Sequence, residues 1–321
     1  DEVDYANRTN PIVVRLTDGA RDGEGVTGSG SNVSADCVGL FCDEVRPDNE
    51  KIVGGSGDDT LDGDSFDQTL VGGPGDDALT GHAGIDRFEG GSGKDDARDG
   101  DFQYSKPDAT GTGDTYLMGA DDDYVSGTGG DEHIELGTGN DGGALNGTGK
   151  VFLDMGEGND RFDTDQGDHT VIGGPGNDSL TTYAGKKDVD MGEGDDYVGL
   201  NDGSYATRAL MGAGDDEFNG ASSTKPGPDT VDGGPGNDHL DTSAGNDTIT
   251  DLEGNNTVYA GLGDDTITTG PGSDESRGDD GNDTLTDAGN NGEGRVGWGP
   301  DQRMWGGAGN DTITGGEGDD H

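Results

Sequence analysis

A nine-residue repeat constrains the fold of this chain more than any other feature of its sequence. Complete copies match Gly-Gly-x-Gly-x-Asp-x-U-x, where U is a large apolar residue, and they begin at Gly54, Gly72, Gly173, Gly233 and Gly306. The copies share one phase, because steps of nine continue without slippage over residues 45–98, 146–199 and 224–286. Such a long repeat in register predicts a stack of short identical units, in which each unit contacts mainly its neighbours.

Each nonamer is interpreted as a six-residue turn followed by a three-residue strand whose middle side chain, U, points inward. Two nonamers then make one coil of 18 residues, and stacked coils give two parallel sheets with the U residues packed between them. The turn requires glycine, because it needs positive φ angles and a close approach of neighbouring backbones. The sixth-position Asp places a carboxylate beside turn carbonyls, an all-oxygen environment that suits Ca²⁺ before Mg²⁺.

Composition shows why the repeat must matter. The 70 Asp and Glu residues against 18 Lys and Arg give a net charge of −52, which repels phosphate and excludes nucleic acid and anionic membranes as partners. Leu, Ile, Val and Phe make up about 15% of the chain, below the roughly 20% at which a highly charged chain stays disordered. No apolar run approaches the ~20 residues of a membrane-spanning helix, so we expect no membrane insertion. Composition alone therefore predicts disorder, and bound cations are needed to reverse it.

On this motif and its constant phase, the chain resembles the haemolysin-type, or repeats-in-toxin (RTX), calcium-binding family of secreted bacterial proteins. The resemblance implies an all-β, right-handed parallel β-roll over residues 45–321, multiple Ca²⁺ ions held between successive turns, and a secreted, extracellular or cell-surface location. The ligands that it implies are the sixth-position carboxylates, namely Asp59, Asp77, Asp86, Asp95, Asp123, Asp141, Asp160, Asp178, Asp196, Asp216, Asp229, Asp238, Asp247, Asp265, Asp274, Asp283 and Asp311.

The N-terminal residues 1–44 lie outside the repeat. Residues 10–19 resemble the strand and turn that often precede such rolls, and we expect 1–44 to form a cap over the first coil. Cys37 and Cys42 could close a small disulfide loop in an oxidising compartment, or remain as two free thiols.

Loops are expected to interrupt the roll where the phase is lost, at residues 99–117, 200–210, 220–224 and 287–305. The last of these carries Trp298, Arg303 and Trp305. Exposed Trp near Arg is typical of interaction sites, but a local cluster that covers the roll explains the same residues.

The sixth position alternates in the middle of the chain, where it reads Val151, Asp160, His169, Asp178, Lys187, Asp196. Because two nonamers make one coil, alternate copies fall on opposite edges of the roll. We therefore expect calcium along the edge that carries the Asp residues and none along the other, where Lys187 substitutes locally for a dication. Towards the C-terminus both edges regain Asp, and only Asn256 departs from the pattern.

No enzyme is predicted. The chain contains neither His-Glu-x-x-His nor Gly-x-Ser-x-Gly, so the zinc protease and serine lipase signatures are absent. Its five histidines are scattered through the repeats, and no partner residues orient any of them as a base. We therefore expect no catalytic residues and no cofactor other than Ca²⁺.

The predicted function is that of an extracellular calcium-binding structural protein that folds on Ca²⁺ binding. The sequence ends within a calcium turn at 315–320, so either the chain continues or another subunit completes the coil, which makes end-to-end assembly into filaments or a surface matrix a hypothesis. The alternative is a detached calcium-dependent module of a toxin, adhesin or hydrolase. A ladder of Thr at 248/250, 266/268 and 284/286 resembles ice-binding surfaces, but Asp-Thr-Ile-Thr is also ordinary repeat sequence, and we favour the latter interpretation.

Overall fold

The computed structural model describes residues 2–15, 50–64, 66–99, 113–127, 130–202, 205–221, 227–288 and 303–315. Within these ranges the regular elements are all β-strands. A search of the same ranges for a helix long and apolar enough to cross a membrane finds none. The chain divides into two compact units, Asp1–Gly156 and Glu157–His321, which we call the N-terminal and the C-terminal unit.

The described strands of the N-terminal unit alternate between two parallel sheets, the odd-numbered strands forming one and the even-numbered strands the other. They are β1 (Glu2–Asp4), β2 (Val13–Arg15), β3 (Glu50–Val53), β4 (Thr60–Asp62), β5 (Gln68–Pro74), β6 (Ala78–Thr80), β7 (Arg87–Ser92), β8 (Asp96–Arg98), β9 (Thr115–Ala120), β10 (Tyr124–Gly127), β11 (Glu132–Thr138), β12 (Gly142–Leu145) and β13 (Val151–Asp154).

The C-terminal unit repeats this plan, again with odd-numbered and even-numbered strands in separate parallel sheets. Its strands are β14 (Arg161–Thr164), β15 (His169–Pro175), β16 (Ser179–Thr182), β17 (Lys187–Glu193), β18 (Tyr197–Leu200), β19 (Thr207–Leu210), β20 (Glu217–Asn219), β21 (Thr230–Asp232), β22 (His239–Asp241), β23 (Thr248–Asp251), β24 (Thr257–Leu262), β25 (Thr266–Thr269), β26 (Glu275–Asp280), β27 (Thr284–Asp287), β28 (Arg303–Trp305) and β29 (Thr312–Thr314).

The register of both sheets follows the 18-residue coil. Leu61 pairs with Leu79, and Leu79 pairs with Ala97, so inward residues stack directly on one another. Where the sequence inserts residues, the strands stay in register and the extra residues lie between them, as in the pairing of Val198 with Phe218. The all-β fold with two nonamers per coil is therefore confirmed, and each unit is a β-solenoid.

The core consists of the inward side chains of the two facing sheets and is narrow. The U residues predicted for the last run of repeats are all buried, with exposed fractions of 0–1%: Val231, Leu240, Ile249, Val258, Ile267, Ser276 and Leu285. Larger side chains fill the same inward positions elsewhere, and the rings of Phe88 and Tyr116 stack with their centroids 4.7 Å apart. First-position side chains such as Met118, Leu136 and Met191 are buried as well. At roughly 1.5–3 kcal/mol per buried side chain, the core remains thin for the number of residues that it has to order.

Two turn glycines illustrate why the repeat cannot vary freely. Gly192 and Gly194 have φ angles of 104° and 132°, in the left-handed region that favours glycine. A Cβ atom on Gly194 would also overlap the carbonyl oxygen of Gly176 in the preceding coil. The second and fourth turn positions therefore need glycine for its backbone angles and for the close stacking of coils.

The structure departs from the expected boundaries in two of the loops. At the N-terminus, strands β1 and β2 pair with β3 and β4, so the described residues 2–15 extend the two sheets over the first coil. Strand β9 begins inside the predicted interruption 99–117, and β19 lies inside 200–210, because both segments keep an inward residue between two outward ones. Cys37 and Cys42 lie outside the described residues.

Part of the last predicted loop, 287–305, is strand β28, which pairs with β26. The Arg277 guanidinium lies 4.9 Å from the ring centroid of Trp305 and 5.2 Å from that of Tyr259. These distances are typical of cation–π contacts between neighbouring strands. For Trp305, the structure thus favours a local cluster on the sheet surface. Trp298 lies outside the described residues.

The Thr ladder proves longer than the sequence suggested. Five Thr residues from neighbouring odd-numbered strands pair in one column, namely Thr230, Thr248, Thr266, Thr284 and Thr312. Four more form a parallel column two residues along, namely Thr250, Thr268, Thr286 and Thr314. The two columns are a direct consequence of the strict coil register in this part of the C-terminal unit.

Candidate metal centre

The sixth-position residues of the turns form two rows in each unit. The even row consists of residues that directly precede the even-numbered strands: Asp59, Asp77, Asp95, Asp123, Asp141, Asp160, Asp178, Asp196, Asp216, Asp238, Asn256 and Asp274. The odd row consists of residues that precede or begin the odd-numbered strands: Gln68, Asp86, Asp114, Glu132, Val151, His169, Lys187, Thr207, Asp229, Asp247, Asp265, Asp283 and Asp311. In the C-terminal unit, Asp160, Asp178 and Asp196 thus lie in the even row, and His169 and Lys187 lie in the odd row.

Of the seventeen Asp residues predicted as calcium ligands, all but Asp311 are buried, with exposed fractions of 1–4%. A file of buried carboxylates is unusual, because a charge removed from water costs several kcal/mol unless it is paired. Their burial therefore has to be balanced by hydrogen bonds and by counter-charge.

One oxygen of each carboxylate joins two coils. Asp77 Oδ1 accepts the backbone N–H of Asp59, one coil earlier, at 2.7 Å, and Asp95 Oδ1 accepts that of Asp77 at 2.9 Å. The odd row does the same, since Asp247 Oδ1 accepts the N–H of Asp229 at 2.7 Å. Oδ1 therefore clamps adjacent coils together without any metal.

The other oxygen, Oδ2, is buried and has no hydrogen-bond partner within the described residues for Asp77, Asp95, Asp123, Asp178, Asp196, Asp216, Asp238, Asp247, Asp265 and Asp283. Asp178 Oδ2 lies 2.8 Å from the point that a Cβ on Gly173 would occupy, and the carbonyl oxygen of Met191, in the next coil, borders the same point. Two oxygens of different coils thus converge beside the first turn glycine. Orphaned carboxylate and carbonyl oxygens are the hard donors that Ca²⁺ prefers, so the residues fit this ion.

Burial also raises the carboxylate pKa values. Desolvation, together with the charges of neighbouring Asp residues, raises the pKa of Asp77 to about 6, of Asp95 to about 7 and of Asp123 to about 8, although the backbone N–H that each accepts acts in the opposite direction. Similar shifts, to about 7, affect Asp196 and Asp265. In the metal-free fold Asp95 and Asp123 are therefore partly protonated near neutral pH, and a cation would replace those protons.

No group of three His, Cys, Asp or Glu side chains converges on one point in the part of the chain that the structure describes. A transition-metal site built from side chains is therefore not found there. Ca²⁺ differs, because backbone carbonyls supply many of its six to eight ligands.

In the middle of the odd row, other groups replace the carboxylates. Lys187 is buried, and its Nζ donates to the carbonyl oxygens of Gly167 at 2.6 Å and Ala184 at 3.1 Å, in successive turns. His169 is also buried and pairs through Nδ1 with Thr164 Oγ1 at 3.0 Å, while burial lowers its pKa to about 4, so the ring is neutral. The Lys187 ammonium thus contacts turn carbonyls of two coils. This is the contact that the sequence analysis requires if Lys187 takes the place of a dication.

Two carboxylates of the odd row were not predicted from the sequence. Asp114 Oδ1 accepts the N–H of Asp86 at 2.7 Å, and Glu132 Oε2 accepts that of Asp114 at 2.8 Å. The sequence Gly113-Asp114-Thr115-Tyr116 could have revealed Asp114, because it keeps the sixth-position Asp and the strand of the motif after an insertion of ten residues.

The fifth turn position was also missed. Exposed Asp and Asn side chains there accept a backbone N–H from the following coil, the reverse of the sixth-position direction. Examples are Asn159 Oδ1 with the N–H of Asn177 at 2.7 Å and Asp215 Oδ1 with that of Asn237 at 2.8 Å. Adjacent turns are therefore joined by two side-chain hydrogen bonds of opposite direction, one buried and one exposed.

Comparison with known families agrees with this geometry. The family model described as the RTX calcium-binding nonapeptide repeat matches residues 47–65, 62–97, 166–198, 223–249, 251–285 and 301–321, which is more than half of the chain. Repeats of this type bind several Ca²⁺ ions. A search of curated proteins finds no match.

Proposed function

The chain belongs to the RTX calcium-binding nonapeptide repeat family, and from that premise we propose that it is a structural module that folds on binding Ca²⁺ outside the cell. The observation that carries this proposal is the set of ten buried carboxylates, named above, whose Oδ2 atoms lack partners among the described residues. Without a cation, the fold would bury like charges behind a thin apolar core. With Ca²⁺, the same oxygens become ligands that join successive coils.

The proposed ligands are the carboxylates of the seventeen sixth-position Asp residues named above, together with turn carbonyls. Asp59 differs from the others in that its Oδ2 accepts the backbone N–H of Gly55. Asp114 and Glu132 extend this set in the odd row. Ca²⁺ supplies positive charge to each turn, while the chain's own Oδ1 atoms and fifth-position side chains fix the spacing of the coils. The role that follows is mechanical rather than catalytic.

An extracellular location is supported by the family resemblance and by the low charge density of each proposed site. Extracellular calcium modules bind in the range of about 10⁻⁴–10⁻³ M, and cytosolic buffers bind orders of magnitude more tightly. Equilibrium titration of the calcium-free chain, followed by circular dichroism, tests this point. A folding midpoint in that range is expected, and a submicromolar midpoint would contradict an extracellular role.

The second part of the proposal is that copies of the chain assemble end to end. The alternative is that the chain is a calcium-dependent module of a toxin, adhesin or hydrolase and does not assemble. Ile313 is 46% exposed in β29, and both neighbouring Thr residues are exposed. A further coil from a second copy would cover this apolar residue.

Light scattering at high concentration in millimolar calcium tests the assembly. We expect the average mass to rise when calcium is added, and we expect Ile313→Asp to abolish this rise. Tyr183→Asp, which changes an equally exposed residue, should leave the rise in mass unchanged. A monomer under all conditions would favour the single-module alternative.

A further inference from the structure

The turn at residues 251–256 exchanges the two defining residues of the repeat. Its first position, glycine in the consensus, is Asp251, and its sixth position, Asp in the consensus, is Asn256. Considered separately, Asn256 is a lost ligand and Asp251 is a departure from the consensus glycine. Considered together, the two changes keep one carboxylate in the turn and move it by five residues.

Asn256 retains only one of the two tasks of a sixth-position Asp. Its Oδ1 accepts the backbone N–H of Asp238 at 3.0 Å, so the clamp between coils is preserved. Its Nδ2, which stands where Oδ2 would be, donates to the carbonyl of Glu253 at 3.2 Å. An N–H donor cannot bind a cation, so Asn256 contributes no ligand in place of Oδ2.

Asp251 has the opposite properties. Its side chain is completely buried, and neither of its carboxylate oxygens makes a hydrogen bond of ordinary geometry within the described residues. The backbone of Glu253 and the carboxyl group of Asp238 are the polar groups that lie close to it. The point that a Cβ on Gly233 would occupy lies 2.7 Å from Asp251 Oδ2 and 2.7 Å from Asp238 Oδ2. The two carboxylates therefore approach each other across the first glycine of the preceding turn.

This arrangement corresponds to the oxygen pair of an ordinary turn. Beside Gly173, the pair is Asp178 Oδ2 and the backbone carbonyl of Met191, the first residue of the next coil. Beside Gly233, the residue at the position of Met191 is Asp251, and its side chain supplies the second oxygen. The charged groups that act on Asp251 are Asp238, Asp274 and Asp232, all of them acidic, so the pair has a strong electrostatic need for a cation.

We propose that the Ca²⁺ ion held by Asp238 has the Asp251 side chain as a second carboxylate ligand, which the repeat consensus does not supply, while Asn256 serves only as a clamp. The inference rests on the proposed function, because it assumes that the chain binds calcium. It adds a ligand that reading the sixth position alone cannot find.

Counting bound ions by native mass spectrometry on the calcium-loaded full chain tests the site. We expect Asp251→Asn to bind one ion fewer than the unaltered chain. The double variant Asp251→Gly/Asn256→Asp, which restores the consensus turn, should recover the full count. Asp190→Asn is the matched control, because it removes one exposed carboxylate from strand β17, which is not among the groups that act on Asp251, and it should leave the count unchanged.

A full count in Asp251→Asn would overturn the site, and would mean that Asp251 is a neutral carboxyl sharing a proton with Asp238. Anomalous diffraction from crystals of the unaltered chain grown in calcium decides the matter if a variant does not fold. A peak between the two carboxylates is expected, and its absence contradicts the site. If the unaltered chain binds no calcium at all, the proposed function itself fails, and the two failures are therefore distinguishable.

Discussion

At the scale of single residues, the sixth-position Asp performs two tasks with two oxygens. Oδ1 accepts a backbone N–H of the neighbouring coil, and Oδ2 is left for a cation. This division explains why Asn256 can replace Asp without breaking the stack, and why Lys187 can replace it by contributing a positive charge of its own. It also makes the two tasks separable by substitution.

Asp178→Asn should remove one bound calcium while keeping the stack. The amide oxygen can still accept the N–H of Asp160, which Asp178 Oδ1 accepts at 2.9 Å, but the second oxygen is lost. With calcium at ten times the dissociation constant, one lost ion lowers the free energy of unfolding by about 1.4 kcal/mol. Asp190→Asn, at an exposed strand position with the same charge change, is the control. Equal ion counts and equal thermal midpoints in the two variants would show that Asp178 is no ligand.

Lys187→Asp should gain one bound calcium. The change removes an ammonium from the carbonyls of Gly167 and Ala184 and restores the consensus carboxylate in the odd row. Lys186→Asp makes the same charge change at the adjacent exposed residue and should gain none. Ion counting by native mass spectrometry distinguishes the two, and an unchanged count in Lys187→Asp would mean that its ammonium does not occupy a cation position.

In chelator, the fraction of folded chain should fall as the pH rises from about 5 to about 8. The folded pKa values of Asp77, Asp95 and Asp123 lie at about 6, 7 and 8, above the ordinary 3.8. The metal-free fold therefore binds protons more tightly than the unfolded chain does, and its stability is present at low pH and is lost as the pH rises through these values. Circular dichroism in chelator at a series of pH values checks this, and a β signal that grows with pH would be the contrary result.

At the scale of strands and turns, much of the fold could be predicted because a nine-residue period leaves little freedom. The inward residue, the turn glycines and the two rows all follow from the phase. Strand β9 and the carboxylates of Asp114 and Glu132 could not be placed, because an insertion of ten residues hides the phase from a search for uninterrupted copies. Asp251 was missed for a different reason, since its role depends on the approach of two coils and not on its own position in the motif.

Gly194→Ala should destabilise the calcium-loaded chain. The residue has a φ of 132°, and a Cβ would overlap the carbonyl oxygen of Gly176, so the coils would have to separate. The expected cost is about 1–3 kcal/mol, measured as the shift in urea midpoint. Gly199→Ala serves as the comparison, because the atoms nearest its Cβ belong to the movable side chain of Tyr197. Similar midpoints for both variants would contradict the account of the turn.

At the scale of the whole chain, charge decides between order and disorder. The net charge is −52, and one Ca²⁺ for each of the seventeen predicted Asp ligands would reduce it to about −18. The apolar core between the two sheets is thin, and the carboxylates repel one another. Calcium binding and folding are therefore expected to be one equilibrium, because a site shared by two coils does not exist in the unfolded chain.

Far-ultraviolet circular dichroism of the purified chain, in excess chelator and then in about 10 mM calcium, tests this central claim most directly, since that concentration lies above the millimolar range of extracellular calcium sites. We predict the spectrum of a disordered chain at neutral pH in chelator and a β-sheet spectrum after calcium is added, with full reversal when chelator is restored. The same β-sheet spectrum under both conditions would contradict the account, because the carboxylate rows would then be folded without the cation that they are proposed to hold.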